Sequence, residues 1–402
     1  MDWASLGHMI CIAAIVILSC GTIASLLRNP HWMIRGWDFP RVQIVVAVML
    51  ALSGFVLTHP AKVFALDHFG GLDWSIVTLA LTLIAWHSAQ MAAYTPLGTK
   101  QVLDAPAEAD SSVGIRIVVS NVEMENESHA IWMKTMRDEQ PDVIVAVEVN
   151  ERWLQKTQLL RDEYEYEISY PQENWYGVLV LSQFRLTDTD IRFLVQDDIP
   201  SIHTTLELPC GQPLRLIAVH PRPPEPLRNN DAKPRNAELV LIAKALDRHL
   251  PTIVCGDLND VAWSPTTRLF LRLSGLLDPR RGRGFFNTFH ADHAWFRFPL
   301  DHVFHSQHFK VRSITRLAHV GSDHFPMMID LHYAMDLPTE QSPIPPQEGD
   351  EELAGEMVQE AEEEEAAANE ATASEPTEGQ ATVTRSVEAS APKAHHQSEE
   401  DR

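Results

Sequence analysis

The stretch from Leu6 to Leu27 contains no charged residue, and this constrains the chain more than any other feature. A helix needs about 20 apolar residues to cross the hydrocarbon core of a bilayer, and this run is long enough. Two more apolar stretches follow, Val42 to Thr58 and Trp74 to Tyr94. The former is short, and crosses only with Pro40 and His59 at the interfaces. The latter has aromatic residues at both ends, as in interfacial belts. Its polar His87, Ser88 and Gln90 are expected to face neighbouring helices or headgroups. Buried helices of a water-soluble domain are the alternative, weakest for the first stretch. The expectation is three transmembrane helices within residues 1–97.

The first helix does not read as a cleavable signal peptide, because Met1-Asp2-Trp3 carries no positive side chain and the apolar run is too long. Between the first two stretches lie Arg28, Arg35 and Arg41 against Asp38; the next loop has Lys62 against Asp67 and Asp73. The positive-inside rule then puts the first loop in the cytoplasm and, after three crossings, the C-terminal domain there as well.

Charge matters next because it is unevenly spread. From Asp336 onward there are 19 acidic and 3 basic residues of the 55 and 32 in the chain, which leaves 36 acidic and 29 basic over residues 1–335. The body is mildly acidic and has no long basic block, so it lacks the electrostatic footprint of a tight duplex binder. An enzyme that meets nucleic acid transiently is not excluded. The part from 336 to 402 reads as an acidic disordered tail, with a short solvated helix around Glu351 to Asn369 as an alternative. Four cysteines, Cys11, Cys20, Cys210 and Cys255, show neither zinc spacing nor a disulfide framework.

Residues 98–112 read as a linker, and residues 113–335 as a soluble domain of strands and helices. Apolar strands are expected at Ile115 to Ser120, Val143 to Val147, Gly177 to Ser182, Leu214 to Val219, Thr252 to Cys255, from Asp301, and at Met327 to Leu331. Helical composition marks Ser128 to Gln140, Asn236 to Leu250 and Trp263 to Leu277. Several strands end in a polar group. Asn121 and Glu123 follow the first, Glu148 the second and His220 the fourth; Asp257 and Asn259 follow Thr252 to Cys255. A carboxylate closing an apolar strand is unfavourable if buried unpaired, and an ion pair, an edge position or a metal resolves it. Two acids at two strand ends suit a hard oxygen-ligated cation such as magnesium. If strand alternation persists, Asp257 and Asn259 share a side: an acid that takes a proton from water beside an amide that binds a phosphoryl oxygen. A plain turn is the alternative, since Gly, Asp and Asn are common turn formers. Asp323-His324 also fits a turn, unless Asp301 orients the histidine.

Taken together, residues 113 to 333 resemble the endonuclease/exonuclease/phosphatase superfamily. The matching residues are Ser120-Asn121-Val122-Glu123, Pro141-Asp142 with Glu148, Gly177 to Ser182, His220, Gly256-Asp257-Leu258-Asn259, Asp301 and Gly321-Ser322-Asp323-His324. The resemblance implies an α+β fold, a four-layered α/β/β/α sandwich of two mostly antiparallel sheets flanked by helices. The three preceding spans look like a membrane-anchored bacterial branch, multi-pass in the inner or plasma membrane. Implied roles are Glu148 as chief magnesium ligand, with manganese as an alternative ion, supported by Asn121 and Glu123. Asp257 would orient or deprotonate water, and Asn259 would hold a phosphate oxygen. His324, buttressed by Asp301, would stabilise charge or act as acid or base. Asp323 would assist, and His220 would be a second histidine. Gln183 stands where many members have arginine. The implied activity is metal-dependent, nuclease-like hydrolysis of a phosphodiester. A lipid-headgroup or small-molecule phosphodiesterase or phosphatase is the alternative, and a non-catalytic membrane-bound module the third reading. The expected partners are a nucleic-acid or lipid-headgroup substrate and the lipid bilayer, with no obligate protein partner evident.

Overall fold

The computed structural model describes residues 3–59, 69–108, 113–224, 231–334, 338 and 340–374. The expectations for Lys62, Asp67, Asp110 to Ser112, Asp336 and the chain after Ser374 lie outside the described residues.

The apolar stretches form helices α1 (Trp3–Ser25), α3 (Arg41–Leu57) and α4 (Gly71–Met91), with a short α2 (Trp32–Arg35) between the first two. Trp3–Ser25 and Gly71–Tyr94 are each long and apolar enough to cross a membrane. Trp32–Asp38 and Arg41–Leu57 make a third candidate only if this pair, bent by 75°, counts as one span. The helices pack on one another through Ile15, Val48, Phe55 and Ala80, and leave Ile17, Leu50 and Leu81 exposed on the outside. An apolar outer belt of this kind is unfavourable in water and suits lipid. His87 is buried and meets Thr22 at 3.0 Å, so the polar group does face a helix neighbour.

The soluble domain holds two sheets. One has β1 (Gly114–Asn121), β2 (Val143–Val147), β3 (Tyr166–Tyr170), β4 (Val178–Ser182), β10 (Phe309–Arg316) and β11 (Met327–Tyr333) in the order β10-β11-β1-β2-β4-β3. The other runs β5 (Leu186–Arg192), β6 (Ser201–Glu207), β7 (Pro213–Val219), β8 (Thr252–Asp257), β9 (Asp301–His305). Each sheet is mixed, with one parallel pair, β1 with β2 and β7 with β8, among antiparallel neighbours. Alternation explains the layers. Ile117, Val119, Val145, Leu216, Ile253 and Val303 point into the space between the sheets. The intervening Val118, Ile144 and Val254 point outward to helices, so these strands read as unbroken apolar runs. Helices α5 (His129–Glu139) and α6 (Glu151–Thr157) cover one outer face through Trp132 and Trp153. Helices α7 (Lys233–Ala245) and α8 (Pro265–Ser274) cover the other through Leu239 and Phe270. The result is the expected four layers.

Gly256 is where the second sheet admits only glycine. Its φ is +145°, and a Cβ there would lie 1.9 Å from Val219 O on the adjacent β7. Gly256→Ala is therefore expected to cost more than about 3 kcal/mol. A large fall in the thermal midpoint is the outcome to look for, and an unchanged midpoint contradicts this close packing.

The chain after β11 departs from the expectation of an unpacked tail. Gln341 is buried, and helix α9 (Asp350–Ser374) docks Ala354, with Leu353 and Met357 beside it, on the α7–α8 layer. Apolar residues recurring three to four apart outweigh the acidic composition. Arg272 donates two 2.8 Å hydrogen bonds to Asp350, fixing the start of the helix. Residues Glu363–Arg402 form a second unit, described only to Ser374 as the last turns of α9. Asp350→Asn is expected to cost about 1–3 kcal/mol and to expose the α9 junction to limited proteolysis. Unchanged cleavage there counts against the docking.

Candidate active site

The same alternation that builds the inter-sheet core positions the site. Asn121 follows Ile117 and Val119 on the inward face of β1, and Asp257 follows Ile253 and Cys255 on β8. His220 extends the inward parity of β7, and Asp301 opens that of β9. Register then brings them together: Asn121 pairs with Val147 next to Glu148, Gly256 with Val219 next to His220, and Asp257 with Asp301. Polar groups gather where the apolar filling between the sheets ends.

The amide of Asn121 joins the sheets. Its Nδ2 donates to Glu148 Oε1 at 2.7 Å and to Asp257 Oδ2 at 3.1 Å. Its Oδ1 accepts from Glu123 N at 2.9 Å, so the oxygen expected to support a metal is engaged in a local turn. Met124 N donates to Glu148 Oε2 at 3.3 Å, and Asp323 N to Glu123 Oε2 at 3.0 Å. The buried His324 ring lies between two acids, with Nδ1 at 2.8 Å from Asp301 Oδ2 and Nε2 at 3.6 Å from Asp257 Oδ2. His220 Nε2 is 3.8 Å from Asp257 Oδ2.

Three site residues sit in the left-handed region: Glu123 at φ +55°, Glu148 at +64° and Asn259 at +52°. Such backbone costs about 1–3 kcal/mol per residue, and neighbours must hold it. At Asn259 the turn overrides strand alternation. Asp257 Oδ1 accepts from Asn259 N at 2.9 Å, and Asn259 Nδ2 donates to Pro221 O at 3.0 Å. The two side chains do not simply share a strand face, because the strand stops at Asp257. An amide nitrogen has two hydrogens, so Asn259 keeps one for a ligand.

Burial lifts the Glu148 carboxyl to about 7, against the hydrogen bond from Asn121. Burial alone lowers an imidazole, but Asp301 and Asp257 outweigh it and raise His324 to about 10. Burial pushes Asp257 up, yet the adjoining His324 charge prevails and holds it below the ordinary carboxylate range. His220 is lowered to about 4 by burial, so its contact with Asp257 is not an ion pair at neutral pH.

Several supporting residues had no assigned role from sequence. Ser322 Oγ donates to Asn121 O at 2.8 Å and accepts from His324 N at 3.0 Å, tying two motifs together. Phe289 packs against the His324 ring at 5.0 Å between centroids. Arg280 is buried behind the site, paired with Asp278 and 2.6 Å from His302. The loop through Phe289 also reaches the apolar helices. Gln43 of α3 donates to Trp295 O at 2.7 Å, and Phe298 meets Phe39 at 5.8 Å. Trp295 and Phe296 stay 77% and 62% exposed beside them.

A two-sheet sandwich with acids, an amide and a histidine at one edge defines a class of phosphoesterase-like sites. Residues 119–324 match the model of the Endonuclease/Exonuclease/phosphatase family, and the chain belongs to that family. Its members are usually hydrolases of phosphodiester bonds and typically use divalent metals. Among solved structures, the chain is similar to the endonuclease/exonuclease/phosphatase from Beutenbergia cavernae DSM 12333, at 17% identity and TM-score 0.46 over 56% of this chain and 73% of that one. It is similar to the human nocturnin catalytic domain with bound sulfate anion, at 19% identity and TM-score 0.44 over 55% and 95%. D. rerio TDP2 complexed with single strand DNA product gives 14% identity and TM-score 0.46 over 55% and 99%. A comparison with curated protein sequences gives no match.

Folding raises the proton affinity of His324 from 6.5 to about 10, so its charge contributes stability fully below about pH 6.5. That contribution falls as pH rises and is gone above about 10. Unfolding free energies of wild type and His324→Gln, measured across this window, are expected to converge with rising pH. A gap that widens towards alkaline pH rules out the buried imidazolium.

Proposed function

We propose that this chain is a membrane-anchored, divalent-cation-dependent hydrolase of phosphodiester bonds with its soluble domain in the cytoplasm. One observation carries the reading: the continuous run Glu148, Asn121, Asp257, His324, Asp301. It sets a hard oxygen donor, a water-orienting acid and a protonated imidazole side by side.

The residues fit a hard cation. Glu148 is paired with no lysine or arginine among the described residues, and burial lifts its carboxyl to about 7. A buried acid in that state is stabilised by a bound cation. Glu148 would hold magnesium or manganese, with Glu123 beside it and Asn121 spacing Glu148 from Asp257. When bound, the ion supplies charge neutralisation at the phosphoryl oxygens. The ligating atoms of Asp257, Asp301 and His324 also lie within 4.8 Å of one another. A ring nitrogen must lose its proton to ligate, however, and His324 is protonated between two acids. This trio is read as the acid–base group.

Asp257, kept ionised, takes a proton from the attacking water as the new P–O bond forms. The His324 imidazolium donates to a phosphoryl oxygen and passes its proton to the leaving alkoxide as the ester P–O bond breaks. Asp301 fixes the ring through Nδ1. Asn259 offers its remaining Nδ2 hydrogen to a phosphoryl oxygen. His220, neutral in its buried position, lies against Asp257, and Asp323 adjoins Glu123.

A bilayer-borne ester is the second reading, favoured by the exposed Trp295 and Phe296 beside Gln43 and the apolar helices. Nucleic acid is the reading favoured by the family. Plasmid DNA, single-stranded DNA and phosphatidylglycerol vesicles as substrates separate the two.

The full chain in detergent with magnesium is expected to hydrolyse bis-p-nitrophenyl phosphate and to lose activity to a chelator. Glu148→Gln and His324→Ala should each lower kcat by about 100-fold or more while the thermal transition is kept. A well-folded chain inert towards every substrate, or a fully active Glu148→Gln, sinks the proposal.

A further inference from the structure

A cavity of about 650 Å³ opens away from the candidate active site, between the ends of α1 and α4, the loop around α2, and helices α8 and α9. Neither Glu148, Asp257 nor His324 lines it. Its walls carry six arginines against three carboxylates, Asp38, Glu356 and Glu360. Arg35 and Arg41 pair with Asp38, and Arg272 is held by Asp350. Arg28, Arg268 and Arg281 pair with no carboxylate among the described residues. Arg268 is held only by the neutral Gln90 Oε1 at 2.6 Å, and Arg281 lies over the Tyr94 ring at 5.8 Å. Burial lowers the proton affinity of Arg268, outweighing the opposing pull of Tyr94 and Asp38, and the charges of Arg272 and Arg281 act in the same direction as burial.

The cavity is also lined by the exposed apolar residues Leu26 and Leu27, just past α1, and Trp86 in the last third of α4, both helices long enough to cross a membrane. Three guanidiniums with no carboxylate in direct contact, beside exposed apolar surface, suit an amphipathic anion. Arginine binds phosphate in bidentate fashion, and basic pockets between membrane helices take acidic headgroups. The volume is that of a small-molecule site. Glu356 and Glu360 on α9 repel an extended polyanion, which disfavours nucleic acid here.

We propose that this cavity binds an anionic glycerophospholipid, with its phosphate among Arg28, Arg268 and Arg281 and its chains along Leu26, Leu27 and Trp86. The proposal rests on the membrane-anchored reading, and the phosphate site is separate from the hydrolytic one. It is a binding site that ties the soluble domain to acidic lipid.

Native mass spectrometry of the full chain released from detergent tests it, with dioleoyl phosphatidylglycerol, the phosphatidylcholine of the same chains, and glycerol phosphate as probes. Retained phosphatidylglycerol, at most weak phosphatidylcholine, and no displacement by glycerol phosphate are expected. Arg268→Gln/Arg281→Gln should lower the phosphatidylglycerol affinity on the order of tenfold, with hydrolysis of bis-p-nitrophenyl phosphate unchanged. Arg28→Gln, an exposed loop change that does not threaten folding, should give a smaller loss in the same direction. Equal retention of the two lipids, wild-type retention by the arginine variants, or displacement by glycerol phosphate each overturns the proposal. Carbonate extraction of membranes separates it from the anchoring: a chain that stays in the pellet without lipid preference defeats this inference alone. Release into the supernatant defeats the anchoring and the lipid site together.

Discussion

Glu148 and Asp257 come from different sheets, and one amide, Asn121, donates to both. Bringing two acids this close inside a protein is unfavourable unless their charges are met by hydrogen bonds or cations. The surrounding architecture meets them in several ways. The amide spaces them, Met124 N and Asn259 N donate from turns, and the His324 charge faces Asp257. Each device requires a strand to end at one particular residue, so the register of both sheets and the position of the acids are one constraint. The left-handed backbone of Glu123, Glu148 and Asn259 belongs to the same requirement.

Much of this is legible in the sequence because the inward strands are apolar until they stop. Val119 then Asn121, Cys255 then Asp257, and Ala218 then His220 each show a polar residue taking the next inward position. What alternation misses is the turn that follows. Asn259 leaves the strand direction because Asp257 accepts from its backbone, and that depends on geometry rather than composition. Strands with no apolar run are also silent. β6 is buried yet reads Ser201-Ile-His-Thr-Thr-Leu-Glu, with Thr204 satisfied by Thr189 across the pair. Edge strands β3 and β5 are half exposed and carry correspondingly mixed sequences. In α9, Leu353, Met357 and Ala361 repeat at helical spacing, but acidic neighbours mask them.

The arginines of the first loop illustrate how counting and structure diverge. Three of them make the loop basic, yet Arg35 and Arg41 are buried against Asp38 and only Arg28 is exposed. Their charge organises the loop internally, while Arg268 and Arg281 from the soluble domain supply the cavity with unpaired charge. The two regions of the chain are therefore electrostatically one assembly at this junction.

That junction is held by hydrogen bonds to backbone. Tyr94 OH donates to Ala262 O at 2.6 Å, and Trp263 Nε1 to Asp38 O at 2.8 Å, only a few residues beyond Asp257. These bonds tie the described helices directly to the domain. On the membrane-anchored reading proposed above, this contact would hold the reactive edge near the lipid surface. On that reading, encounter with a membrane-borne ester would be a search in two dimensions, governed by its mole fraction in the surface. Diluting that ester with inert lipid slows the search, while adding buffer does not.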